Sequence, residues 1–317
     1  YQPMEYTFLR ASYGQGYRFP SIAEKYIFSS VGALNVFPNP NIKPEYGWSA
    51  ELGLKQGLKI KNFKGYLDVS AFVTNYTNMM EFVFGLYNNE GKDLNTDLEA
   101  LVDEFSNGNG SFEETLNSIF GARTNNIQNA NIPGFEISLV GEGEITKDIS
   151  FSILAGYTFI NPTALNPDSL YLSTFSNPDK TNPNKTILKY RNKHMGKVDF
   201  QIDYRKISFG SSLRYTSVMM NIDDIFQTDN ITIYLPIDAN GTILEIPTGE
   251  SILEGYGSYR NARMTADVIF DARIAYQINK KSKFSILMNN VLNREYTNRP
   301  GNVMPPRTIL WQYSLTF

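Results

Sequence analysis

The chain has 317 residues, a formal net charge of −3, one histidine and no cysteine, which excludes disulfide frameworks, thiolate metal sites and multi-histidine metal sites. The net charge is weakly negative and the chain has no basic cluster, so nucleic acid is not an expected partner. Aromatic residues make up 14 % of the chain, yet no window approaches the roughly 18 apolar residues of a transmembrane helix, so none is predicted.

Alternation of apolar and polar residues predicts ten β-strands, because successive side chains of a strand point to opposite faces. The alternation is most regular in 266–278, where Val268 and Phe270 share one face and Asp267 and Asp271 share the other. The predicted strands cover 6–13, 45–55, 63–76, 135–145, 149–159, 197–205, 207–215, 266–278, 284–291 and 307–317. The chain is therefore predicted to be an all-β protein.

The connections between these strands alternate strictly between short and long. Long loops of this kind are uncommon in compact soluble domains, whereas outer-membrane barrels have short periplasmic turns and long external loops. The pattern predicts an antiparallel transmembrane β-barrel with every long loop outside the cell. In the longest loop, helical spacing also predicts two short helices, 94–105 and 112–120. Short turns lie near 58–62, 146–148, 205–207 and 279–282, and long loops near 14–44, 77–131, 161–194, 221–265 and 292–306.

The last strand ends the chain on an aromatic residue. Alternation alone also fits a soluble sandwich, but an aromatic terminal strand is typical of the strand that closes an outer-membrane barrel. We predict that its apolar row faces lipid and that the assembly machinery recognises it. The row consists of Trp311, Tyr313, Leu315 and Phe317. Because the chain starts at Tyr1 within a few residues of a strand, we expect it to be the C-terminal part of a longer protein.

Four segments in order along the chain carry a family resemblance. They are Arg10-Ala-Ser-Tyr-Gly-Gln-Gly-Tyr-Arg-Phe-Pro-Ser-Ile-Ala-Glu24, Asn39-Pro-Asn-Ile-Lys-Pro-Glu45, Asn129-Ala-Asn-Ile-Pro-Gly-Phe-Glu136, and Asn289-Asn-Val-Leu-Asn-Arg-Glu-Tyr296 followed by Pro300, Pro305, Arg307 and Phe317. Together they resemble the barrel motifs of TonB-dependent outer-membrane receptors, including the closing signature of the family. The Asn-rich loops are similar to those of receptors from Bacteroidota.

The resemblance implies a barrel of about 22 strands with an N-terminal plug in its lumen. Residues 1–317 are then the C-terminal part of that barrel, about ten strands, and the plug and earlier strands lie outside this chain. The implied partners are the TonB complex, reached through the plug, the lipid and LPS of the Gram-negative outer membrane, and a small-molecule ligand or nutrient complex.

The function that the resemblance implies is active import of a scarce ligand such as an iron–siderophore or cobalamin-type complex. Two alternatives stay open. The barrel could be a structural or partner-binding subunit, with a lipoprotein or another outer-membrane protein as partner, or a glycan or peptide importer of the starch-utilisation type. No enzymatic activity, cofactor or metal site is expected, since no pattern marks a serine near His194 as activated.

The candidate ligand- or plug-facing residues fall into two groups. Tyr17, Arg18 and Phe19 lie where the first strand leaves the wall, and Arg18 could meet an anionic ligand or a plug carboxylate. The second group consists of loop aromatics, whose rings could stack on a ligand or simply pack the loops. These are Tyr87, Tyr171, Phe175, Tyr234, Tyr256 and Tyr259.

Overall fold

The computed structural model describes residues 1–31, 34–95, 97–107, 110–127, 129–165, 186–226, 232–236, 243–247 and 253–316. We number its strands β1 to β19 in chain order. The main sheet is an antiparallel wall in which ten strands pair in the order β1-β4-β5-β8-β9-β11-β12-β15-β16-β19. They are β1 (Thr7–Arg18), β4 (Glu45–Ile60), β5 (Phe63–Thr77), β8 (Ala130–Thr146), β9 (Ile149–Ile160), β11 (His194–Tyr204), β12 (Ile207–Thr216), β15 (Asp267–Asn279), β16 (Ser282–Asn289) and β19 (Thr308–Leu315). All ten predicted strands are confirmed.

The two faces of the wall differ in polarity. The register pairs Leu52 with Ala71 on one face and Glu51 with Phe72 on the other. The face that carries Leu52 is apolar across all ten strands, and both Leu52 and Trp311 on it are 68 % exposed. An apolar surface of this extent is a liability in water but matches the lipid-facing band of an outer-membrane barrel. The prediction of a transmembrane wall is confirmed.

Aromatic side chains collect on the apolar face near both of its ends. Toward the loops, Tyr13 and Trp48 have ring centroids 6.1 Å apart. Toward the turns, Phe284 and Trp311 lie 5.9 Å apart. Such belts mark the two membrane–water interfaces, because aromatic rings favour the boundary between lipid and water. His194 belongs to the belt on the loop side, with its Nδ1 atom 2.7 Å from the hydroxyl of Tyr157.

The terminal strand β19 has the predicted orientation. Its register pairs Trp311 with Ile286 and Tyr313 with Phe284, so that Trp311, Tyr313 and Leu315 lie on the apolar face. Phe317 lies outside the described residues, and the proposed role of this row in assembly stays a prediction.

The opposite face, toward the lumen, carries ion pairs between neighbouring strands. Arg10 donates to Glu51 at 2.8 Å and to Asp68 at 2.7 Å. Farther along the wall, Arg273 donates to Asp199 at 2.8 Å. These residues are partly exposed, which fits a wet or polar interior rather than a hydrophobic core.

The long loops fold into a compact assembly, which we call the cap. It contains a four-stranded sheet in the order β2-β3-β7-β6 and two helices that pack on it. Its elements are β2 (Ser29–Val31), β3 (Leu34–Phe37), β6 (Met80–Leu86), β7 (Phe120–Asn126), α2 (Leu98–Asn107) and α3 (Phe112–Ile119). The two predicted helices are confirmed, whereas the sheet was not predicted. The parallel pairing of β3 with β7 joins the first two long loops.

The cap packs against the lumen side of the wall at its loop end. Ala130 and Ile132 occupy lumen-facing positions of β8, and both contact a buried cluster that includes Met79, Val83 and Leu188. The short strand β10 (Thr163–Ala164) pairs with the start of β8. The cap therefore covers part of the mouth of the lumen.

The remaining elements lie in the loops. They are α1 (Ile22–Tyr26), a 3₁₀ turn (Asp224–Phe226), the hairpin of β13 (Thr232–Pro236) and β14 (Ile243–Pro247), α4 (Tyr256–Ala262), β17 (Thr297–Arg299) and β18 (Asn302–Val303). Among the described residues, no helix is both long enough and apolar enough to cross a membrane.

Candidate functional site

A cavity of about 170 Å³ lies at the loop end of the lumen. Its floor comes from lumen-facing positions of β12 and β15, among them Arg214, Asp267 and Ile269, and its roof comes from α4 and residues 295–299. We call it the rim pocket. Its lining includes Arg214, Tyr256, Tyr259, Arg260, Asp267 and Tyr296.

Helix α4 places two aromatic rings beside the pocket. Residues three apart lie on the same side of a helix, so Tyr256 and Tyr259 are neighbours, with ring centroids 5.9 Å apart. The guanidinium of Arg263 lies 5.2 Å from the Tyr259 ring. Partial burial, together with the nearby Glu295 carboxylate, raises the pKa of Tyr259, so its hydroxyl stays protonated and can donate a hydrogen bond at neutral pH.

Most charges around the rim pocket are paired. Arg263 contacts Glu295 at 3.2 Å, and Arg214 contacts Asp271 at 3.2 Å. Arg260 differs, because it is 9 % exposed and donates to the backbone carbonyls of Met219 at 2.6 Å and Met220 at 3.3 Å. No carboxylate of the described residues forms an ion pair with Arg260. The pocket therefore has a buried cationic side.

The rim pocket brings together two of the predicted residues, Tyr256 and Tyr259. The arginines were not among the predicted residues. Strand alternation places Arg214 on the lumen face and offered a signal for it, whereas nothing in the sequence around Arg260 marks it as buried.

Tyr87 lies elsewhere. It is fully buried in the cap, where its hydroxyl donates to the carbonyl of Val83 at 3.2 Å and the guanidinium of Arg123 lies 4.2 Å from its ring. This placement fits loop packing, the alternative use of the loop aromatics. Tyr171 and Phe175 lie outside the described residues, and Tyr234 lies in β13, of which only the backbone is described.

Tyr17, Arg18 and Phe19 do not share one surface. The register places Tyr17 on the apolar face, where its ring meets that of Phe19 edge-on at 5.0 Å. Arg18 is on the lumen face and contacts Glu24 at 3.0 Å. Tyr17 and Arg18 both line a second, more open cavity of about 260 Å³ along β1, β4 and β5. Of these three residues, the register places only Arg18 on the lumen face.

No group of three or more His, Asp or Glu side chains in the described parts of the chain is arranged to hold a metal ion. Asp223, which belongs to an Asp-rich turn after Met219 and Met220, accepts hydrogen bonds from Lys189 and, at 2.6 Å, from the Tyr190 hydroxyl.

Comparison with known proteins identifies the wall. The family model for the TonB-dependent receptor-like β-barrel matches residues 1–293. The chain belongs to the TonB-dependent receptor family. This confirms the resemblance carried by the sequence motifs, and it places the barrel in the outer membrane, since the members of this family are outer-membrane proteins.

Among curated proteins, the haemoglobin and haemoglobin–haptoglobin-binding protein A of Haemophilus influenzae is 27 % identical over 160 residues, which is 50 % of this chain and 12 % of that protein. The chain thus spans only a small part of that relative.

Solved structures of receptors agree with the wall along its whole length. The ferric-catecholate import receptor Fiu of Escherichia coli K12 has a TM-score of 0.56 at 18 % identity, covering 100 % of this chain and 34 % of that one. The copper transporter OprC has a TM-score of 0.57 at 14 % identity, covering 99 % of this chain and 38 % of that one. The hemophore receptor HasR of Serratia marcescens has a TM-score of 0.55 at 15 % identity, covering 100 % of this chain and 38 % of that one. These likenesses establish the fold of a receptor barrel.

Proposed function

We propose that the whole receptor actively imports a scarce ligand, such as an iron–siderophore or cobalamin-type complex, across the outer membrane. Energy would arrive from the TonB complex through an N-terminal plug that precedes this chain, and residues 1–317 would supply the C-terminal part of the barrel. The observation that carries the proposal is the rim pocket, which opens on the lumen side of the wall beneath the external loops.

The chemistry of the rim pocket supports a ligand that carries negative charge. Its lining has four arginines, Arg214, Arg260, Arg263 and Arg299, against two carboxylates, Asp267 and Glu295. Tyr256 and Tyr259 add flat surfaces and hydroxyl donors. Arginine and tyrosine together bind anionic ligands with aromatic or polar edges.

Similarity to known receptors supports a metal-bearing ligand. The names of the related receptors mention ferric catecholate, copper, haem and haemoglobin. This range favours iron complexes over oligosaccharides, while leaving the individual ligand to experiment.

Uptake in a deletion strain tests the proposal. We expect the strain to lose uptake of labelled ferric siderophore or cobalamin, and complementation with the full-length gene to restore it only when TonB is present. Unchanged uptake of these two substrates would contradict the proposal. Loss of oligosaccharide or peptide uptake alone would point to an importer of the starch-utilisation type.

A second candidate is a receptor-like barrel that serves as a partner-binding subunit for a lipoprotein or another outer-membrane protein. The observation that favours it is the set of exposed apolar side chains on the external loops, including Ile22, Tyr26, Phe82 and Phe112. If uptake of every substrate is unchanged while the deletion destabilises a defined outer-membrane complex on native gels, this second function replaces the first. No enzymatic activity is proposed.

A further inference from the structure

We propose that the rim pocket holds one oxyanionic group of the ligand, a carboxylate or a phosphate, and that Arg260 is its principal contact. This inference deepens the proposed import function and rests on it, because it names the chemistry that the ligand presents to the pocket.

The first observation is the state of the Arg260 side chain. It is only 9 % exposed and lines the pocket, and its Nε–H has no hydrogen-bond partner among the described residues. Its Nη2 atom is fixed by the carbonyls of Met219 and Met220, so the guanidinium is held in place. A buried donor without a partner is costly, and it is costlier on a charged group, so this guanidinium would be stabilised by an anionic group in the pocket beside it.

The second observation is that Arg214, on the floor of the same pocket, also has a buried Nε–H with no partner in the described part of the chain. Its Nη2 atom is engaged by Asp271 at 3.2 Å. Two guanidinium groups from different elements, a wall strand and a loop helix, thus line one cavity, and each carries an Nε–H that the described residues leave unbonded. Hydrogen bonds from guanidinium groups to carboxylate or phosphate oxygens are among the strongest in proteins.

Charge balance points the same way. Asp267 and Glu295, the two carboxylates of the lining, are engaged by Arg294 and Arg263. Neither neutralises Arg260, and burial lowers the pKa of Arg260 because a buried cation lacks the solvation of water. An oxyanion beside Arg260 would relieve this cost more than a neutral acceptor, and a cation would increase it.

The size of the pocket limits what enters it. Its volume of about 170 Å³ is below the roughly 300–1,000 Å³ of sites that hold a whole drug-sized ligand. The pocket therefore takes a single arm of a ligand, and the bulk of the ligand stays in the lumen. Tyr256 and Tyr259 border this space and give such an arm a flat contact.

Binding of small probes to the purified full-length receptor tests the inference without identifying the ligand. Calorimetric titrations would compare benzoate, inorganic phosphate and benzamide, the last having nearly the shape of benzoate without its charge. We expect benzoate or phosphate to bind at least tenfold more tightly than benzamide, and the better of the two identifies the oxyanion. Benzamide binding as tightly as both oxyanions, or binding of neither oxyanion, would overturn the inference.

An Arg260→Gln variant adds a residue-level test. Loss of one charge-assisted hydrogen bond predicts at least a tenfold loss of oxyanion binding. An Arg205→Gln variant is the control, because Arg205 lies at a periplasmic turn, paired with Asp148. Heat-dependent gel migration reports whether each barrel is folded. Should Arg260→Gln fail to fold, the wild-type comparison of the two oxyanions with benzamide still decides. Unchanged binding in a folded Arg260→Gln receptor would refute the assignment.

The outcomes separate this inference from the import function. Oxyanion binding that depends on Arg260, in a receptor whose deletion changes no uptake, would support the pocket and refute import. Uptake that depends on TonB but is unaffected by Arg260→Gln would support import and refute the pocket as a ligand contact.

Discussion

In the wall, apolar side chains point outward and remain exposed, whereas in the cap they point inward and are buried. Leu52 and Trp311 on the wall are each 68 % exposed, while Leu86 and Leu188 in the cap are 0 % exposed. Both regions come from one chain with one composition, so the difference reflects the solvent that each region meets. The wall contacts lipid, and the cap folds like a small soluble domain in water.

Charged groups follow the same division. On the wall, ion pairs such as Arg273–Asp199 lie on the partly exposed lumen face. In the cap, Lys189 and Asp223 are almost fully buried, and Arg191 contacts Glu81 at 2.7 Å. These two pairs link the second, third and fourth long loops, so the cap depends on a few long-range contacts. The wall depends on many equivalent strand contacts. The two regions should therefore respond to mutation independently.

The largest expected effect is in the cap. An Asp223→Ala substitution removes the carboxylate that contacts Lys189 and the Tyr190 hydroxyl. Breaking a buried ion pair by removing one partner costs about 3–5 kcal/mol. We expect the loops to become sensitive to protease on intact cells while the barrel keeps its heat-dependent gel migration. A barrel that fails to assemble, or loops that stay protected, would show that the two regions are not independent.

A matched pair of substitutions in β8 tests the two faces of the wall. Ile137 and Ser138 are adjacent, but their register places Ile137 with Val69 on the apolar face and Ser138 with Asp68 on the lumen face. We expect Ile137→Arg to destabilise the barrel by about 2–4 kcal/mol, because it puts a charge into lipid. Ser138→Arg should be tolerated beside Asp68. The measurement is unfolding by denaturant in lipid vesicles. Equal loss in both variants would contradict the assignment of the faces.

A smaller effect concerns Glu81 and pH. Burial raises the pKa of Glu81 above its usual value, and the nearby Arg191 only partly opposes this. A carboxyl group whose pKa is raised in the folded cap makes the cap most stable when it is protonated. That contribution is full below the ordinary pKa and is lost as the pH rises through the raised pKa. We therefore expect slower hydrogen exchange of β6 and β7 at mildly acidic pH, after correction for intrinsic rates. A Glu81→Gln variant should lack this pH dependence, and an unchanged dependence would exclude Glu81 as its source.

The smallest effect is expected at the periplasmic turn, where Arg205 contacts Asp148 at 3.1 Å and both side chains are largely exposed. Exposed ion pairs contribute about 0–1 kcal/mol. An Asp148→Ala variant should therefore unfold within that range of the wild type and leave the loops protected, which makes it the control for Asp223→Ala. A larger loss would mean that this turn stabilises the wall more than an exposed contact should.

The predictable parts of the fold are those with local signals. Every wall strand was predictable because its two faces meet different media, which imposes a period of two. Helix α3 was predictable from spacing, and its start carries a capping box between Ser111 and Glu114. The cap sheet was not predictable, because β3 pairs with β7 in parallel across more than 80 residues of chain, as in the pairing of Asn35 with Gly121.

The candidate site shows the same limit. Tyr256 and Tyr259 were predictable as loop aromatics, and the structure brings both to one pocket. Arg260, next to Tyr259 in the chain, was missed because its position is fixed by a hydrogen bond to the carbonyl of Met219, which is 41 residues away in the sequence. Tyr87 is a loop tyrosine like Tyr259, but it is fully buried inside the cap and lines no pocket named above.

The sequence by itself determined the wall, its two faces, the side on which its loops lie and the family to which the chain belongs. These properties repeat along the strands, and each repeat carries its own signal in neighbouring residues. Only the tertiary structure decided that the loops form a cap and that Arg214 and Arg260 meet at one pocket. The reason is that burial and charge pairing in the loops depend on segments far apart in the chain, which no local pattern records.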